Sequence, residues 1–112
     1  LTLERMAFGF LRAARERPDF YRMILALWFS PRDNEAHQAV AGLMRDLTAM
    51  VEGVFFRAVA QHGNMRDRHQ AYAISWLSLV HGLVGRELGG GPVLEDHEVR
   101  RMVHWFQHGI YS

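Results

Sequence analysis

From Ala71 to Gly85 the chain carries no Asp, Glu, Lys or Arg. This stretch limits the fold more than any other. Ala71, Ser75, Ser78, Gly82, Gly85 and Gly89 recur at alternating steps of four and three. On a helical wheel at ~100° per residue they fall within roughly ±40° of one line. Ala73, Trp76, Leu77, Val80, Leu83 and Val84 stand opposite. The pattern predicts a helix with one small face and one bulky face. The bulky face can fill the domain's own core. Glycine in a helix interior costs about 1 kcal/mol relative to Ala, so Gly82 and Gly85 need a reason. Close approach of another helix supplies one. That helix is either the last one of the same chain or one from a second subunit, and the uncharged character all round favours the subunit.

The remaining punctuation is sparse. Pro18, Pro31 and Pro92 all sit at breaks, joined by His62-Gly63-Asn64 and Gly89-Gly90-Gly91. Between these breaks the apolar spacing is helical, with no period-2 strand and no hairpin signal. The expectation is five helices, at about 2–17, 18–29, 34–62, 67–88 and 95–110. On the first, Leu3, Met6, Phe10 and Ala14 share a face. The second is apolar all round apart from Arg22, so it is expected to be buried on every side or to line a cavity. The third has Asp33 or Asn34 as N-cap and an apolar stripe of Ala36, Val40, Leu43, Met44, Leu47, Val51, Val54, Phe55 and Ala58. Phe56 breaks the pattern as an aromatic on the polar side. The fifth opens with Glu95, Asp96 and Glu98, which suits the helix dipole. Its stripe is Val99, Met102, Val103, Phe106 and Ile110.

Composition bounds the function. The 112 residues suit one domain, and 49% apolar with 22% charged residues is ordinary for a globule. Thirteen basic residues, all Arg, balance twelve acidic ones, so the chain has no electrostatic footprint for gripping DNA by itself. The absence of cysteine excludes a disulfide framework, thiolate metal sites and cysteine nucleophiles, and fits a reducing cytoplasm. No apolar run reaches the ~20 residues that cross a bilayer. The sequence opens at Leu1 without Met and already in helical pattern, so the expectation is a piece of a longer protein.

Five helices in this order, with certain local patterns, resemble the C-terminal domain of the tetracycline-repressor (TetR) family of transcriptional regulators. The patterns are Phe10-Leu11 through Pro18-Asp19-Phe20, then Ala60-Gln61-His62-Gly63, then Asp67 to Ala71 leading into Leu79-Val80-His81-Gly82-Leu83. Val99 through Phe106-Gln107-His108-Gly109-Ile110 closes the series. The resemblance covers essentially the whole chain. It implies an all-α, five-helix antiparallel bundle whose last two long helices pair with their copies in a homodimer. That interface would use Ser75, Ser78, Leu79, Gly82, Gly85, Met102, Trp105 and Phe106. The resemblance also implies a pocket for a small, mostly apolar effector. Operator DNA would be read by an upstream helix-turn-helix that these residues do not contain.

The residues that suit such a pocket are Met23, Leu27, Trp28, Met44, Met50, Phe55, Tyr72 and Trp76. Met gives adaptable contact, and Tyr or Trp gives a polar handle in an apolar cavity. The plainer reading of each is core packing. Arg22 could meet an anionic group, although its head more simply reaches solvent. His97, His104 and His108 share a face, and the last two are one turn apart, as metal ligands are. Arg101 beside them would repel a cation, so a solvated face is expected and no metal or cofactor. His81 is expected to be a hydrogen-bonded interior or interface histidine. Glu4, Glu16, Asp46 and Glu52 read as surface charges. Gly89-Gly90-Gly91 follows a helix and ends in Pro92, so it reads as a C-cap and connector, unlike a phosphate loop. No catalytic constellation emerges, and the expectation is a protein that is not an enzyme. Two other readings remain: a His/Met-ligated haem or metal bundle, and a helical interaction module without a ligand.

Overall fold

A computed structural model describes residues 2–59 and 68–111. Among them are five α-helices and no strand: α1 (Thr2–Glu16), α2 (Pro18–Trp28), α3 (Glu35–Val59), α4 (His69–Leu88) and α5 (Asp96–Tyr111). The 60–63 pattern, the expected end at His62 and the start at Asp67 lie outside the described residues, as do the side chains of Ala58 and Ile110.

Local chemistry accounts for the helix ends. Asn34 is the N-cap of α3, its Oδ1 accepting from the backbone N–H of Ala36 at 2.8 Å and of His37 at 3.3 Å. At α5 the Glu98 carboxylate accepts from the Glu95 N–H at 3.0 Å, the reciprocal half of a capping box. The end of α4 is closed by Gly89 N–H to Gly85 O and Gly91 N–H to Arg86 O, at 2.9 and 2.8 Å. Gly90 has φ +95°, which side-chain-bearing residues rarely adopt. The connector reading of Gly89-Gly90-Gly91 therefore holds.

The core lies where α4 crosses α1, α3 and α5. All six bulky α4 residues named from the wheel are buried: Ala73, Trp76, Leu77, Val80, Leu83 and Val84. Against them pack Leu3, Ala7, Leu11 and Ala14 of α1, Val51 and Phe55 of α3, and Val99 and Val103 of α5. Burying each large apolar side chain is worth about 1.5–3 kcal/mol. The buried face of α1 is rotated from the expected one. Ala7 and Leu11 hold its centre, while Met6 and Phe10 flank it half-buried. Small alanines at 7 and 14 let α1 approach α4 closely. Trp76 sits at the centre with its ring centroid 5.3 Å from that of Phe106. Its indole N–H has no acceptor among the described residues.

A bidentate ion pair ties α1 to the end of α4. Arg15 donates Nε–H and Nη2–H to the Glu87 carboxylate at 3.0 and 2.5 Å, and also to Leu94 O at 3.1 Å. The Glu87 side chain is 8% exposed. Its hydrogen bonds from Arg15 hold its carboxyl below the usual carboxylate range, against the opposing effect of burial.

Of the two expectations for α2, burial on every side fails and lining a cavity holds. No α2 residue is fully buried. Phe20, Met23 and Trp28 are exposed on it, and Phe29 just beyond is 80% exposed. The stripe of α3 is likewise only partly covered: Val40, Val51 and Phe55 are buried, whereas Leu43 is exposed. The reason lies in the shape. The Cα positions span 41 × 34 × 17 Å, a slab about two helices thick at a helix spacing of ~8–10 Å. In such a slab α2 touches α1, α3 and α4 yet keeps one side open to solvent. No helix among the described residues is long and apolar enough to cross a membrane.

Candidate functional site

The gap between this outer wall and α4 is a cleft of about 690 Å³. From α2 it takes Leu25 and Trp28, with Phe29 following. From α3 it takes Met44, Arg45, Thr48, Ala49 and Glu52. From α4 it takes Gln70, Ile74, Leu77, Ser78, His81, Gly82 and Gly85. The helix geometry explains the α4 set. Residues 70, 74, 78, 82 and 85 form one ridge at steps of four and three, on the flank between the bulky face and solvent. Arg22 holds the wall in place. Its guanidinium donates to Leu88 O at 3.3 and 3.4 Å and pairs with Asp19 at 3.2 Å. A cation at the last carbonyls of a helix is favourable. Arg22 is therefore a clamp between α2 and α4, with its charge spent outside the cleft.

The sequence-based candidates separate. Of the expected pocket residues, Trp28 and Met44 line the cleft. Phe55 and Trp76 lie in the core. Tyr72 is half-buried at its edge, its ring 6.1 Å from Phe55. Leu27 is half-buried outside the cleft lining, and Met23 and Met50 are 48% and 63% exposed outside it too. Core and pocket residues share helical spacing and apolar chemistry, so only packing separates them. Of the expected interface residues, Ser78, Gly82 and Gly85 line this same cleft. Ser75 is exposed, Leu79, Met102 and Phe106 lean half-buried on the core, and Trp105 is 62% exposed on α5. A Cβ at Gly82 or Gly85 would meet nothing within 4 Å. Helix contact among the described residues is thus not their reason.

Sequence reasoning missed Leu25, Phe29, Arg45, Thr48, Glu52, Gln70, Ile74 and His81 as cleft residues. The step-of-four ridge through Gln70, Ile74 and Ser78 was the available signal. Glu52 is more than a surface charge, since its carboxylate lies 3.5 Å from His69 Nε2 and links α3 to α4. His81 is half-buried, and burial pushes its imidazole below the ordinary histidine range. Its one aromatic neighbour is Phe10, edge-on at 6.2 Å, and it makes no hydrogen bond among the described residues. Of the two expectations for His81, the hydrogen-bonded interior one is not met among the described residues, and its ring faces the cleft with donor and acceptor unspent there. By contrast, the hydroxyls of Thr48 and Ser78 donate to Met44 O and Ile74 O within their own helices, both at 2.8 Å.

His104 and His108 are exposed with ring centroids 4.5 Å apart. Among the described residues no group of three His, Asp or Glu could hold one metal ion. What the cleft offers chemically is an apolar surface, one half-buried neutral imidazole and charges at its α3 rim. Concave, largely apolar surfaces of this kind are where small molecules bind. No family model matches the chain, and neither does any curated protein or solved structure.

Proposed function

We propose that this chain is the effector-binding and dimerisation domain of a tetracycline-repressor-like transcriptional regulator. The observation that carries this reading is the cleft, which is largely apolar, wide enough for a small molecule and walled by three helices of the expected series. An effector seated there touches both the outer wall of α2 and α3 and the core helix α4. It thereby favours one arrangement of the wall and shifts a population of states. Operator contact in this reading belongs to a helix-turn-helix outside these residues, in a cytoplasmic homodimer.

A second consideration supports the dimer. The chain exposes 7464 Å². A compact monomer of this mass exposes roughly 6,300 Å². The excess, about 1,200 Å², is of the order that one partner buries in a stable interface, ~800 Å². Ser75, Leu79, Met102 and Trp105 on α4 and α5 are the residues to cover it.

Native mass spectrometry and a dye titration test the reading together. The expected mass is near twice 12.9 kDa, and Trp105→Glu is expected to shift it to monomer. Nile red, a neutral apolar dye, is expected to brighten on binding, and Ser78→Trp to abolish that by filling the cleft. A monomer that leaves Nile red dark would sink the assignment. A visible absorption band in the purified protein would favour a haem or metal bundle instead.

A further inference from the structure

We infer, resting on the reading of the cleft as an effector site, that its ligand is an elongated, uncharged molecule with an alkyl body and one hydroxyl or carbonyl head, and that His81 meets that head. Shape gives the first half. The α4 ridge runs from Gln70 to Gly85, about 22 Å at ~1.5 Å per residue. Ile74, Met44 and Ala49 offer apolar contact along it, so an extended chain covers more of it than a compact ring does.

Polar accounting gives the second half. Buried polar groups are normally satisfied, and His81 is the half-buried polar side chain in the described cleft whose capacity is unspent. Thr48 and Ser78 use their hydroxyl protons on their own helices. A neutral imidazole has one N–H donor and one acceptor nitrogen, so it matches a hydroxyl or a carbonyl. Gly82 and Gly85 follow His81 by one and four residues and leave open space where a side chain would otherwise stand. The head fits in this space, and the body runs toward Ile74 and Gln70.

Charge selects against ionised ligands. A bare ion beside a half-buried neutral ring loses hydration without a countercharge. Arg22 is occupied by Asp19 and Leu88 O. Glu52 faces His69. Arg45 stands exposed on the opposite wall, where water screens it.

The test uses 1-decanol, decanoate and decyltrimethylammonium, titrated calorimetrically at pH 7.5 into the purified chain. Decanol is expected to bind at least about tenfold more tightly than either ion. His81→Phe is expected to weaken decanol about tenfold while the thermal midpoint stays put, and His81→Gln to restore part of the loss. Decanoate binding as tightly as decanol would make Arg45 the head-group partner and overturn the proposal. Unchanged decanol affinity in His81→Phe would overturn the role of His81. If Nile red binds and decanol does not, the ligand class falls and the effector site stands. If neither binds, the effector-site reading falls and takes this proposal with it.

Discussion

The two flanks of α4 differ as two materials do, although one short stretch of sequence builds both. On one flank Trp76 is 0% exposed and belongs to a core cluster drawn from α1, α3, α4 and α5. On the other, Ile74 is 52% exposed and Gly82 faces open space. The first flank is packed to the density of a solid, where removing any atom leaves a hole. The second is a surface waiting for contact, with a thin wall of α2 and α3 standing off it. Hydrophobicity therefore does not distinguish a core from a binding face. What distinguishes them is whether the chain has a second layer to lay against that side.

The sharpest way to break this contrast is a pair of tryptophan truncations. Trp76→Ala is expected to cost about 3–5 kcal/mol through the cavity it leaves. Trp28→Ala is expected to cost below about 1 kcal/mol, because its ring stands in the cleft wall rather than in the core. Urea unfolding of both variants measures the difference. Equal losses would mean that the cleft is closed in solution.

The next effect is the clamp on the packed side. Glu87→Gln keeps the shape but weakens the charge-assisted bonds from Arg15, and is expected to cost about 1–3 kcal/mol. Glu87 is held below its ordinary value in the fold. Its stabilisation is therefore full above the usual carboxylate range and lost as pH falls through the depressed value. Unfolding curves from pH 7 to pH 3 are expected to fall less steeply for Glu87→Gln than for the parent. A parallel fall would remove the pair from the account of acid stability.

The smallest effect has the opposite sign. Gly82→Ala adds a methyl where nothing stands within 4 Å and removes a helix penalty. It is expected to stabilise the chain by up to about 1 kcal/mol in a thermal melt. The same variant is expected to reduce Nile red binding. Destabilisation would show that another surface covers this face in solution, a second copy being the first candidate.

Much of the fold was legible because helix formation is a local affair. Caps such as Asn34, breaks at Pro18 and Pro31, and the glycine run after Leu88 act on their own neighbours. Periodicity alone also separated the bulky face of α4 residue for residue. The site was less legible. Phe55 and Trp76 have the composition of a pocket and the position of a core. Ser78, Gly82 and Gly85 have the spacing of an interface and line a cleft. His81 was visible as an oddity, but its unspent hydrogen-bonding capacity depends on what surrounds it in space.

The sequence by itself determined five helices, those of their limits that fall among the described residues, and the inward face of α4, since each depends on contacts a few residues apart. Only the tertiary structure decided that α2 is a wall rather than a buried helix, that Arg22 clamps the end of α4, and that an apolar cleft lies between them. Those outcomes depend on how many layers the chain can stack. A helix apolar on every side does not encode which side finds a neighbour.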